Sequence, residues 1–91
     1  MLPATFRLQI VSLVRVVFDG EVPMIHLIGD EGEYEVLPFH YPLLGALPQG
    51  EVMIADFGNI PIRSGVVLFE SNTCTILIEE MEALERKKLG T

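Results

Sequence analysis

Apolar and polar side chains alternate with a period of two along most of this chain, and that alternation constrains its fold more than any other feature. Phe6, Leu8 and Ile10 flank Arg7 and Gln9, which sets three side chains on one face of an extended strand and two on the other. Val14, Val16 and Phe18 alternate with Arg15 and Asp19, and Asp19-Gly20 then reads as a turn or bulge. Val22 to Ile28 is an apolar run interrupted by Pro23, which predicts an edge position or a strand start there. Gly29 to Gly32 is a tight acidic turn, followed by a short strand at Tyr34, Val36 and Leu37 that Pro38 ends.

The apolar residues of PLLGALPQG at 42–50 lie between turn formers. Glu51 to Asp56 and Ile60 to Arg63 are predicted to pair across Phe57-Gly58-Asn59. Ser64-Gly65 reads as a break. Val66 to Phe69 and Thr73 to Ile78 form a second hairpin across Glu70-Ser71-Asn72. Short strands at such spacing predict an all-β sandwich or barrel. From Glu79 the period changes: EEMEALERKKLG holds strong helix formers, acids first and Arg86, Lys87 and Lys88 last, as a helix dipole favours. A short helical stub is expected over 79–89. The expected division is a β domain over 1–80 and a helical tail over 81–91.

The chain has 91 residues, one cysteine and 49% apolar residues. One domain is expected, without an internal disulfide, stabilised by its core and by contact with a partner. Net charge is −7, and residues 1–78 carry nine carboxylates against Arg7, Arg15 and Arg63. Such a surface repels phosphate, so nucleic acid and anionic lipid are poor partners and a basic protein surface a good one. The opening MLPATFRLQIV lacks the basic stretch and long apolar core of a secretory signal. The longest uncharged run, 36–50, contains Pro38, Pro42 and Pro48 and is unsuited to span a bilayer as a helix. No direct membrane insertion is expected.

Chemistry concentrates in GDEGEYEVLPFHYPLL at 29–44. Glu33 or Glu35 with His40 offers an acid–base pair, but the sequence supplies no nucleophile or oxyanion hole, so no catalytic residue is expected. Asp30, Glu31 and Glu33 lack the calcium-loop pattern, and His26 and His40 lack zinc spacing, so no metal ligand set and no cofactor are expected. Gly-Asp-Glu-Gly is no phosphate cradle, because its acids repel phosphate and no P-loop lysine follows. His26 reads as a hydrogen-bonded strand residue and Cys74 as a buried small hydrophobe. What remains is a rigid acidic turn beside Tyr34, Phe39 and Tyr41, suited to pairing with basic groups while the aromatic rings bury area.

The runs VVFDGEV at 16–22 and GDEGEYEVLPFHYPLLGALPQG at 29–50 resemble the epsilon subunit of F-type ATP synthases. The family stretch reads glycine-acid-glycine-acid, then leucine-proline-glycine-histidine, a small residue, and proline-leucine-leucine. SGVVLFESNTCTILIEE resembles the family's closing strand pair more loosely, and the likeness covers about residues 5–80. It implies a flattened antiparallel β-sandwich of about ten short strands. It also implies a non-catalytic central-stalk subunit, peripheral on the cytoplasmic face of the bacterial inner membrane, that couples the gamma subunit to the c-ring. Glu31 and Glu33 are then expected to face basic polar loops of the c-ring. Phe39, His40, Tyr41, Pro42, Leu43 and Leu44 are expected to contact gamma or to build the turn, with His40 in a structural role.

Glu35, Phe39 and Tyr41 depart from this pattern, standing where the family carries glycine or another small residue. A phenylalanine at a positive-φ position is strained, so either the turn differs here or the family glycine does not need that conformation. The family's carboxy-terminal helical hairpin has no counterpart after the stub, so hairpin inhibition and nucleotide sensing are not carried over. The rival expectation is a free-standing small β-barrel that binds a cation or small ligand through Asp30, Glu31, Glu33 and His40.

Overall fold

The computed structural model describes residues 4–81. They form eight strands: β1 (Phe6–Val11), β2 (Val16–Val22), β3 (Ile25–Gly29), β4 (Gly32–Val36), β5 (Leu43–Leu47), β6 (Gly50–Ile54), β7 (Gly58–Glu70) and β8 (Thr73–Glu80). The hydrogen-bonded order is β2-β1-β8-β7-β6-β3-β4, with β5 pairing β7 off this path. All pairs are antiparallel except β1 with β8, which run parallel.

The thirteen-residue β7 carries both layers of the sandwich. Its first half pairs β6 over Gly58 to Ile62, and its second half pairs β5 and β8 over Gly65 to Glu70. Inward side chains of the two layers meet in one core: Phe6, Leu8, Ile10 and Ile76 from one, Ile25, Leu27, Val52 and Ile54 from the other. Each such side chain, fully buried, contributes about 1.5–3 kcal/mol. Phe6 and Phe69 meet edge-on at 5.5 Å. Phe18 on β2 meets Phe57 in the β6–β7 turn at 4.7 Å, closing the sandwich along one side. No charged or polar side chain is buried among the described residues.

Alternation predicted β1 and the first part of β2, and both hairpins across 57–59 and 70–72 are present. Ser71 and Asn72 have φ of 50° and 55°, as a tight hairpin turn requires. Four expectations are corrected. Asp19-Gly20 is no turn but mid-strand, opposite Gln9 and Leu8; the chain reverses at Ser12 to Arg15, where Ser12 Oγ accepts from the Val14 and Arg15 amides at 3.2 Å. Asp19 serves instead as the cross-strand partner of Arg7. Ser64-Gly65 is no break, since β7 runs through it; Gly65 is there because a Cβ would meet the Leu77 carbonyl at 3.1 Å. The irregularity falls one residue earlier, where the β7–β8 register shifts between Ile62 and Ser64. LLGAL, lacking alternation, is the strand β5. At the other end, Glu79 and Glu80 belong to β8, opposite Ser64 and Ile62, and not to a helix; the part of the expected stub beyond Met81 lies outside the described residues.

Candidate functional site

The acidic turn joins β3 to β4, with Gly29 opposite Gly32 and Asp30-Glu31 at its tip. Gly32 has φ of 125°, a conformation glycine adopts without a steric penalty. Beyond it, alternation along β4 separates the acids. Glu33 and Glu35 lie on the outer face, opposite Ile28 and His26, while Tyr34 and Val36 turn inward. Glu33 Oε2 lies 3.4 Å from His26 Nε2. Tyr34 packs between glycines: a Cβ on Gly29 would stand 3.0 Å from its ring, and one on Gly45 would stand 3.5 Å from its hydroxyl. Partial burial raises the Tyr34 hydroxyl above its ordinary value and keeps it neutral.

The segment from Leu37 to Pro42 crosses from β4 to β5 as a pinned turn. His40 N–H donates to the Leu37 carbonyl at 3.2 Å. Phe39 sits at φ of 62°. The strain foreseen for a phenylalanine in that conformation is present. Asn72, from the β7–β8 turn, holds that backbone: its Oδ1 accepts from Phe39 N–H at 2.7 Å, and its Nδ2 donates to the Thr5 carbonyl at 2.9 Å. His40 Nδ1 lies 2.7 Å from the Tyr41 carbonyl, so that contact takes the proton on Nδ1. The His40 ring stacks on Tyr41 at 4.3 Å and meets Phe69 edge-on at 5.6 Å. Phe39, Tyr41 and Leu44 are about three-quarters exposed, and Leu43 packs against the core.

The structure therefore brings Glu31 together with His40, Tyr41, Leu43 and Leu44 around one groove and turns Glu33 away from it. Asp30, Glu31, Glu33 and His40 do not converge as one ligand set, and no three potential metal ligands cluster among the described residues. Two features escaped the sequence reading. Asn72 looks like a plain turn residue, and only the fold brings it to Phe39. A second apolar surface lies on the solvent face of β7 and β8, where Val66, Leu68 and Leu77 stand beside the exposed tip Leu13-Val14; apolar residues at the outward positions of 66–68 and 77 were the available signal.

Residues 5–84 match the family model described as the ATP synthase delta/epsilon chain, beta-sandwich domain. The chain belongs to the ATP synthase delta/epsilon family. It is 35% identical over 78 residues to the ATP synthase epsilon chain of Bordetella avium, covering 81% of this chain and 55% of that one. It is 33% identical over 81 residues to the chloroplastic epsilon chain of Anthoceros angustus, covering 86% of this chain and 59% of that one. The chain thus spans little more than half the length of these epsilon relatives. The fold matches a chain of the Euglena gracilis mitochondrial ATP synthase with a TM-score of 0.78 at 19% identity, covering 98% of this chain and 63% of that one. A chain of the Tetrahymena thermophila mitochondrial ATP synthase central stalk and c-ring matches with a TM-score of 0.71 at 20% identity, covering 81% and 63%. In this family member the acidic turn and the segment from His40 to Leu44 line one groove of the sandwich.

Proposed function

We propose that this chain is a non-catalytic subunit of the rotary ATP synthase, joining the gamma subunit to the c-ring within the central stalk. The observation that supports it most directly is the folded form of 29–44 in an epsilon-type sandwich: an acidic turn and an aromatic segment, both rigid and outward-facing, with no convergent catalytic groups. Glu31 at the turn tip and Glu33 on the adjoining face meet basic loops of the ring, long-range attraction setting orientation more than affinity. Phe39, His40, Tyr41, Pro42, Leu43 and Leu44 form the contact with gamma, where exposed rings on a pinned backbone lose little entropy on binding. The subunit sits at the cytoplasmic face of a bacterial inner membrane without entering it.

Calorimetric titration with the cognate gamma subunit tests this reading. One-to-one binding with a negative heat-capacity change is expected, the mark of apolar burial. Absence of heat across several temperatures, in a chain that remains folded, would refute it. The double replacement Glu31→Lys and Glu33→Lys is expected to leave gamma binding intact and to weaken association with c-ring-containing complexes.

A further inference from the structure

The outer face of the layer β5-β7-β8-β1 is apolar where a solvated sheet face is polar. Two rows of side chains run across its paired strands. Leu44 on β5 stands opposite Leu68 on β7, which stands opposite Thr75 on β8. In the next row Ala46 meets Val66 and Val66 meets Leu77, with Val11 of β1 beside Leu77. Leu44, Val66, Leu68 and Leu77 are all exposed. The β1–β2 turn raises Leu13 and Val14 beside the second row, 93% and 84% exposed, and tip and rows border an open groove of about 550 Å³. An antiparallel sheet with one apolar face meets water on the other; this layer has apolar side chains on both.

Charge selects what covers this face. No charged side chain stands in either row. The three arginines of the described residues all stand around it, each beside a carboxylate: Arg7 with Asp19, Arg15 with Glu80 and Arg63 with Glu79. The opposite layer differs, since β3, β4 and β6 carry Glu33, Glu35 and Glu51 and no arginine or lysine. In a chain of net charge −7, two copies meeting through that layer would set acid against acid. Through the apolar face they meet row on row, inside a rim of both signs that complements itself about a two-fold axis. Two flat apolar sheet faces also pack on each other as the layers of a sandwich do. We propose that this face pairs with the same face of a second copy in a two-fold dimer, each Leu13-Val14 tip entering the other copy's groove. Four strands span about 15–20 Å, which suits a small, reversible interface and not a permanent one. The inference does not rest on the stalk reading, although Leu44, assigned above to gamma, is covered in the dimer.

The test is sedimentation equilibrium of the full chain from about 10 μM to about 1 mM, the range of weak association. A shift from monomer to dimer with concentration is expected. Raising salt from about 0.05 M to about 0.5 M should strengthen it, because screening weakens the repulsion of two acidic chains and leaves apolar contact in place. Leu68→Lys and, separately, Val66→Lys should each weaken dimerisation about tenfold or more, with little change in unfolding midpoint, since both side chains are exposed. Glu51→Gln, on the opposite layer, should not weaken it. A chain monomeric throughout, a dimer indifferent to both lysine variants, or a dimer that salt dissociates would each overturn the proposal. So would a monomer whose Leu77 methyl groups show NMR contacts to residues beyond Met81, which would give the face to the chain's own C-terminal segment. A monomer that covers Leu68 only on binding gamma would overturn it in favour of that partner.

Discussion

Asn72→Gly removes a side chain that ties its own turn to Phe39 and Thr5. The replacement keeps the backbone free to hold φ near 55° while deleting both hydrogen bonds, to Phe39 N–H at 2.7 Å and to the Thr5 carbonyl at 2.9 Å. Each such bond contributes about 0.5–1.5 kcal/mol net, so the expected loss is about 1–3 kcal/mol. Asn72→Ala loses the same bonds and keeps a Cβ in the left-handed region without the side-chain amide that lets asparagine hydrogen-bond locally there, so it should be no more stable than Asn72→Gly. Phe39→Gly alone should stay near neutral, because relief of about 1–2 kcal/mol of strain is offset by about 0.5–1 kcal/mol of glycine backbone entropy and by lost ring contact. Once residue 39 is glycine, its turn no longer depends on the clamp, so Asn72→Gly should then destabilise less than it does beside Phe39. Urea unfolding of the four proteins in a double-mutant cycle measures this directly, since midpoint shifts at constant slope report stability. An Asn72→Gly protein within about 0.5 kcal/mol of the parent, or a cycle without coupling, would show that water replaces the clamp and that the reasoning is wrong.

Three further outcomes are expected. Gly65→Ala should destabilise by about 1–3 kcal/mol, read as a lower urea midpoint, because its Cβ would stand 3.1 Å from the Leu77 carbonyl, a backbone atom that cannot swing away. The hydrogen bond from Arg7 holds the Asp19 carboxyl below its ordinary value of 3.8; its stabilisation is therefore present above that value and lost as pH falls through the lowered folded one. Asp19→Asn should flatten that part of the acid unfolding curve, and identical acid limbs would count against the pair. Burial pushes the Cys74 thiol up to about 12, so iodoacetamide at pH 8 should leave the folded chain unlabelled and modify it in urea; rapid native labelling would contradict the buried position.

The sequence was most legible where structure is local. Phe6, Leu8 and Ile10 announce β1 because neighbouring side chains of a strand face opposite ways, and Ser71-Asn72 announces a hairpin through its own turn preferences. Reading failed where a residue answers to a distant partner. Gly65 looks like a break but accommodates the Leu77 carbonyl, and Asp19 looks like a turn former but meets Arg7 across the hairpin. β5 was missed because Leu43 to Leu47 has no alternation to detect. In the site, the stretch 29–44 stood out as one unit. The placing of Glu33 and Glu35 on one face and of Tyr34 and Val36 on the other follows from strand alternation, whereas the hold of Asn72 on Phe39 exists only once the β7–β8 turn meets the β4–β5 connection.

The parallel pairing of β1 with β8 sets Arg7 beside Thr73 and Val11 beside Leu77. A ribosome releases β8 only after β1 and six further strands. The hairpin β1–β2 can pair as soon as it emerges, but the inner edge of β1 must wait, unzipped, through the synthesis of every other strand in the sandwich. Until β8 arrives, Leu8 and Ile10 have only part of their core, and the nascent chain presents a strand edge of the kind that recruits wrong partners. Folding of this domain thus waits for the synthesis of β8. A stall or truncation before Thr73 should yield an aggregation-prone chain, where a fold built only from successive hairpins would already have formed in part.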